Sequence, residues 1–168
     1  MVEKNPKILI RPCNLKNTLF RPTGDIGRIL EIENQSYDDP WDENTISYFL
    51  KLSGAGSLVL EINEELIGFL LFEVQNSYLN LVSIAIDPEF RRKGYATLLI
   101  DELLKEDLPD CNKIYCTISD KNLGAHLFFN KFGFSAIKII KDFFSEGHDA
   151  YEFMYQIRKR KRKRSTRK

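Results

Sequence analysis

Leu81-Val82-Ser83-Ile84-Ala85-Ile86-Asp87-Pro88-Glu89-Phe90-Arg91-Arg92-Lys93-Gly94-Tyr95-Ala96-Thr97-Leu98-Leu99-Ile100 decides the fold. The segment changes period part-way along. Leu79, Leu81, Ile84 and Ile86 mark a strand over residues 78–86. After Gly94, the apolar residues Ala96, Leu98, Leu99, Ile100, Leu103 and Leu104 recur as on a buried helix. Between strand and helix stand Arg91, Arg92 and Lys93. Three cations there oppose the positive end of the helix dipole by about 0.3–1 kcal/mol each. A bound anion removes the conflict. The free N–H groups of the first helical turn would point at it, and Gly94 and Ala96 would let it come close. No Gly-Lys-Ser/Thr follows, so this is not a Walker loop, and the three glycines of the dinucleotide fingerprint are absent. A solvated basic turn is the competing reading.

Outward from this segment the pattern is regular. A helix is expected from about Gly24, with Thr23 as its cap, followed by a break at Asp38-Asp39-Pro40-Trp41. Asp42 should cap a second short helix carrying Ile46, Phe49 and Leu50. Strands are read at 57–62 and 66–74, joined by a tight Asn63-Glu64-Glu65 turn. Beyond the central helix come a strand at 114–118, a helix at 120–131 ending at Gly133, and strands at 134–140 and 151–157. Residues 141–149 read as the loop between the last two. Residues 18–22 read as a short first strand. This is a mixed α/β (α+β) domain of about six or seven strands and four helices, its sheet mostly antiparallel. We divide the chain into an irregular N-terminal extension, 1–17, a domain, 18–157, and a basic tail, 158–168.

The bulk numbers suit this division. The chain has 168 residues, 43% hydrophobic and 29% charged, as expected of one globular domain. No apolar run approaches the roughly 20 residues of a membrane span, and the first residues do not resemble a secretory signal. Cytoplasm is the expected location. The three cysteines, Cys13, Cys111 and Cys116, form no Cys-x-x-Cys, and two histidines are too few and too scattered for a zinc set. No metal is expected. The net charge of +1 hides an asymmetry: residues 158–168 hold nine Lys or Arg and no acid, leaving 16 bases against 24 acids elsewhere. Such a run is expected to be disordered. Two readings stand for it, contact with RNA, DNA or a ribosome, and a solubilising tail.

Two motifs then converge. Arg91-x-x-Gly94-x-Ala96 follows a strand, and Asn122-x-x-Ala125 leads into Gly133-Phe134 about 30 residues later. With the closing Glu146-Gly147-His148-Asp149-Ala150-Tyr151, the sequence resembles the GNAT superfamily of N-acetyltransferases over residues 18–157. It is most similar to the branch that acetylates protein N-termini, including ribosomal-protein alanine and archaeal N-terminal acetyltransferases. The resemblance implies an acyl-CoA N-acyltransferase fold with acetyl-CoA as cosubstrate and protein N-termini as partners. Backbone groups of Ile84, Ala85 and Ile86 would pair with the pantetheine arm like an added strand. The N–H groups from Arg92 through Lys93, Gly94, Tyr95 and Ala96 to Thr97 would hold the pyrophosphate, and the side chains of Arg91, Arg92 and Lys93 would add charge. Asn122 would bond the pantetheine or acyl end. The thioester would lie in a splay between the strand ending at Ile86 and the strand at 114–118. A monomer or weak dimer is expected.

The sequence departs from this branch where protons move. Phe129, against the cofactor, stands where many relatives carry a tyrosine that protonates the leaving thiolate, and phenylalanine donates no proton. Phe143 and Phe144 replace paired tyrosines of the last hairpin. Asn80 and Thr117 replace a basic side chain and a histidine on neighbouring strands. The remaining carriers are Glu33 and Asp39; Asp39 could draw in an ammonium group or accept its proton through water, or be a plain loop acid. Tyr37 and Tyr151 could reach a peptide groove together with Asp39, Phe143 and Phe144. Tyr155 and Trp41 read as packing residues. Three acceptor readings follow: an α-amine, a lysine, polyamine or other small amine, or no acceptor at all in a non-catalytic acyl-CoA binding module.

Overall fold

The computed structural model describes residues 6–15, 24–106, 111–144 and 147–157. Among these residues, seven strands form one sheet: β1 Ile8–Arg11, β2 Ala55–Ile62, β3 Glu65–Gln75, β4 Tyr78–Ile86, β5 Lys113–Ser119, β6 Ser135–Phe144 and β7 His148–Gln156. Among the described residues, four α-helices accompany them: α1 Ile26–Asn34, α2 Glu43–Phe49, α3 Tyr95–Leu103 and α4 Leu123–Phe132. The sheet order is β1-β2-β3-β4-β5-β7-β6. All neighbours run antiparallel except β4 and β5. That pair is parallel because α3 carries the chain across between them, as a parallel connection demands.

The two faces of the sheet are covered by different helices. Ile29 and Ile32 of α1 and Ile46 and Phe49 of α2 pack with Val59, Phe69, Leu71 and Ala85. Leu99, Ile100 and Leu103 of α3 and Phe129 of α4 pack on the opposite face with Leu60, Leu70, Leu79 and Ile114. Strands buried on both sides read as near-continuous apolar runs, and Leu66 to Phe72 of β3 are all buried.

Several boundaries differ from expectation. Residues 8–11, read within an irregular extension, form β1 and pair with β2 from Ile8↔Ile62 to Arg11↔Val59. A four-residue edge strand with exposed Ile8 and Leu9 carries no alternation to read. The strand expected at 18–22 and the cap expected at Thr23 lie outside the described residues, as does the tail 158–168. Asp25 occupies the cap position of α1, but its side chain does not cap. It accepts instead from the Arg11 guanidinium at 2.6 Å and from the Asn14 N–H. Helix α4 starts later than expected, because the Asn122 side chain accepts from Ala125 N–H at 3.0 Å and begins the helix there. Residues 141–144, read as loop, continue β6, with Lys141 paired to Asp149 of β7 at 2.5 Å. Asp42 caps α2 as expected, accepting from Thr45 N–H, and Gly133 ends α4 at φ 114°.

Candidate active site

β4 is where the sheet opens. It pairs with β5 only from Tyr78↔Lys113 to Asn80↔Tyr115. β4 then stays with β3 as far as Gly68↔Ile86, while β5 continues to Ser119 beside β7. The parting has a local cause. Leu71 faces Ser83 but Phe72 faces Leu81, so Val82 is an extra residue in β4. A β-bulge of this kind bends its strand and re-aims the side chains beyond it. Leu79 and Leu81 belong to the α3/α4 face before the bulge, and Ile84 and Ile86 belong to it afterwards.

A cavity of about 690 Å³ lies at this opening. It gathers residues far apart in sequence: Tyr37 from the α1–α2 loop, Ile84 to Ile86, Arg91, Arg92 and Gly94 to Thr97 from the loop and start of α3, and Asn122 and Phe129 from α4. Gly94 has φ 86°, a left-handed conformation, and precedes the first residue of α3. A Cβ there would meet no protein atom within 4 Å, so it would project into open space. A helix beginning at Tyr95 leaves the N–H groups of Tyr95, Ala96 and Thr97 without intrahelical acceptors. Arg92 is also left-handed, at φ 63°. Left-handed residues along successive amides form concave anion-binding nests. The backbone of this wall is therefore suited to a phosphate.

The side chains divide into ligand-facing and supporting groups. The Arg91 guanidinium donates from Nε to Ile86 O at 2.8 Å and from a terminal nitrogen to Ser36 Oγ at 2.8 Å. It ties the loop after α1 to the end of β4. Lys93 stands outside the cavity wall; its Nζ donates to Glu89 O at 3.2 Å and lies 5.2 Å from the Phe90 ring centroid. Asn122 spends its Oδ1 on the helix cap, which leaves Nδ2 for a ligand. Asp87 opens the loop, accepting from Glu89 N–H at 2.9 Å and from the Arg28 guanidinium.

Of the expected proton carriers, Glu33 is buried at 4% exposure. It accepts from Trp41 N–H at 3.2 Å and from the Ser83 hydroxyl at 3.4 Å. Burial raises the pKa of its carboxyl. Tyr37 donates from its hydroxyl to Ile84 O at 2.8 Å and accepts from Ile84 N–H at 3.3 Å. Ser83 Oγ lies 3.2 Å from the same hydroxyl. Glu33 is thus linked to the cavity through Ser83 and Tyr37. Asp39 is exposed in the α1–α2 loop. Phe143 and Phe144 stack edge-on at 5.0 Å near the end of β6, and Tyr151 stacks on His126 at 5.1 Å. None of these four lines the cavity. Burial pushes the Cys13 thiol up to about 12 and raises Cys116 as well, which disfavours the nucleophilic thiolate form of both.

The sequence reading missed Ser36, Phe90, Phe128 and Lys131, which also line the cavity. For the last two a signal existed. Asn122's partner Ala125, then Phe128 and Lys131, recur every three residues and share one face of α4.

A sheet opened between β4 and β5, with an amide nest at the mouth of the opening, is the architecture of an acyltransferase-type α/β domain and is shaped for an extended anionic ligand. Residues 26–134 match the Acetyltransferase (GNAT) family. The N-alpha-acetyltransferase of Saccharolobus solfataricus is 26% identical over 141 residues, covering 76% of this chain and 84% of that one. The ribosomal protein bS18-alanine N-acetyltransferase of Haemophilus ducreyi is 27% identical over 123 residues, covering 71% and 83%. The crystal structure of the ribosomal-protein-S18-alanine N-acetyltransferase from Escherichia coli superposes with a TM-score of 0.77 at 19% identity, covering 94% of this chain and 98% of that one. The chain belongs to the GNAT acetyltransferase family. It is an acetyl-CoA-dependent N-acetyltransferase. Among the described residues, no helix is long and apolar enough to cross a membrane.

Proposed function

We propose that this enzyme moves the acetyl group of acetyl-CoA to the α-amine of a protein N-terminus. The observation that carries the choice of acceptor is the chemistry of the cavity wall: among the described residues, no carboxylate and no imidazole lines it. An amine must lose a proton before it attacks a thioester. With a pKa near 8, roughly 10% of an α-amine is neutral at pH 7, against roughly 0.04% of a lysine near 10.4. The difference is about 3 kcal/mol of help that a lysine acetyltransferase would need from a base. A wall without one suits the α-amine. The names of the curated relatives point the same way.

In this reading the pyrophosphate lies against the N–H groups from Arg92 to Thr97. The pantetheine arm lies along the free edge of β4 at Ile84 and Ile86. The thioester lies between β4 and β5, within reach of Asn122 Nδ2. Positioning by this clamp supplies much of the rate. The test is release of free thiol from acetyl-CoA in the presence of short peptides. Turnover is expected on peptides with a free α-amine and not on peptides with a blocked N-terminus and a free lysine. The reverse preference would establish the lysine or small-amine reading. Tight acetyl-CoA binding with no turnover on any amine would establish a non-catalytic binding module.

The nine basic residues of 158–168 supply a second element of the proposal, a tether to RNA or the ribosome that keeps the enzyme near new N-termini. Deleting 158–168 should abolish salt-sensitive RNA binding and leave peptide turnover unchanged. RNA binding that survives the deletion rules the tether out.

A further inference from the structure

The Tyr37 hydroxyl sits in the gap between β4 and β5. It bonds both the N–H and the C=O of Ile84, the groups at the edge of β4 that β5 would have paired had the strands not parted. Behind it, Ser83 Oγ lies at 3.2 Å and Glu33 Oε2 a further 3.4 Å on, so a chain of oxygens runs from the cavity into the α1 face of the sheet. Phe129 lines the same cavity and offers no hydroxyl. Besides Tyr37, the described wall holds one other phenol, Tyr95 at the start of α3, and the loop of Arg91, Arg92 and Gly94 lies on that side of the cavity.

We propose that Tyr37 is the catalytic proton carrier of the acetyl transfer, giving its hydroxyl proton to the departing thiolate and taking one from the newly acylated nitrogen. The role rests on the reading of the β4–β5 gap as the thioester site. A ligand that pairs with Ile84 takes over both backbone groups that now hold the Tyr37 hydroxyl. The hydroxyl is thereby released at the place where the thioester arrives. The neutral amine nitrogen then attacks the acetyl carbon. The carbon–sulfur bond breaks and its electron pair goes to sulfur, which receives the Tyr37 proton. The phenolate takes the proton that the acylated nitrogen sheds. Amine and thioester become amide and thiol, and Tyr37 ends as it began. Burial raises the Tyr37 pKa, so the phenol is protonated when the ligand arrives. The Ser83 hydroxyl can donate to the transient phenolate and the Arg91 charge favours it, while the Glu33 carboxylate opposes it. Ser83 and Glu33 act as positioning residues.

The test is a comparison of Tyr37→Phe with the double variant Tyr37→Phe/Phe129→Tyr in steady-state peptide acetylation, with acetyl-CoA Kd measured separately by calorimetry. General acid–base contributions of this kind are about 100-fold or more. Tyr37→Phe should therefore lose about 100-fold in kcat with acetyl-CoA Kd within about threefold of the parent chain. Phe129→Tyr, which restores a hydroxyl to the same cavity, should recover at least about tenfold of that loss. A kcat within about threefold of the parent overturns the role. So does a fall in kcat matched by an equal weakening of Kd, or one that the second substitution does not relieve. Absence of turnover in the parent chain would overturn the proposed function itself, whereas full turnover in Tyr37→Phe overturns the role of Tyr37 alone.

Discussion

Replacing Gly94 with alanine separates backbone strain from ligand approach. Gly94 holds φ 86°, ψ 1° at the start of α3. An L-residue in the left-handed region costs about 1–2 kcal/mol, partly offset by about 0.4–1 kcal/mol from the stiffer unfolded chain. The net loss is about 1 kcal/mol, which for a chain of this size lowers Tm by about 2–4 °C. The new methyl meets no protein atom within 4 Å, so packing adds nothing further. It would stand where the phosphate approaches the amide nest. Displacing the phosphate from one N–H forfeits a charge-assisted hydrogen bond of about 1.5–3 kcal/mol, or about a tenfold to hundredfold rise in acetyl-CoA Kd. Gly133→Ala is the matching control. Gly133 is also left-handed, at φ 114°, its Cβ would meet Tyr155 at 3.4 Å, and it does not line the cavity. Calorimetric titration with acetyl-CoA and thermal melts on both variants make the comparison. Similar Tm losses with a Kd rise confined to Gly94→Ala are expected. Equal Kd values in the two variants would refute the placement of the anion at the start of α3.

Asn122→Asp keeps the oxygen that caps α4 and removes the Nδ2 donor. It should leave Tm nearly unchanged and lower kcat/KM for peptide acetylation by about tenfold, the value of one hydrogen bond; a Tm loss without a kinetic loss would make Asn122 a cap and nothing more. Glu33→Gln tests the buried carboxyl through pH. Burial raises the Glu33 pKa in the folded protein, so the ionised carboxylate destabilises the native state at pH values above that raised pKa. The cost fades as pH falls and vanishes below the unfolded value, where both states are protonated. Glutamine avoids the charge, so the variant should melt above the parent at pH 8, with the difference shrinking towards pH 4. A difference independent of pH contradicts the assignment.

The loop of residues 91–94 was legible because its signal is local. A change of hydrophobic period, three cations and a glycine within a few residues fix a strand, a turn and a helix start, and the α/β class followed from the same periodicity repeated along the chain. The caps at Asp42 and Gly133 were legible for the same reason, since each acts through its own backbone neighbours; the cap at Asn122 was not, and the helix was read as starting at 120. Strand β1 was not, because an exposed four-residue edge strand exists only by pairing with β2 some 50 residues away in the chain. Arg91 was read as a free cation for a ligand, but a guanidinium next to an open strand edge and to the loop after α1 bonds Ile86 O and Ser36 first.

The sequence by itself determined the fold class, the family resemblance and the segment proposed to meet an anion, all from patterns spanning a few residues. Only the tertiary structure decided how the β4–β5 gap is furnished. The bulge at Val82 appears only when the registers of β3 and β4 are compared. The contact of Tyr37 with Ile84, and of Ser83 with Tyr37 and Glu33, joins residues 46 to 50 apart in the chain. No propensity or spacing encodes such contacts, because they depend on α1 packing against one face of the sheet while β4 bends away from β5. Proton transfer acts over the length of one hydrogen bond, so the groups that carry it are set by that packing rather than by their place in the sequence.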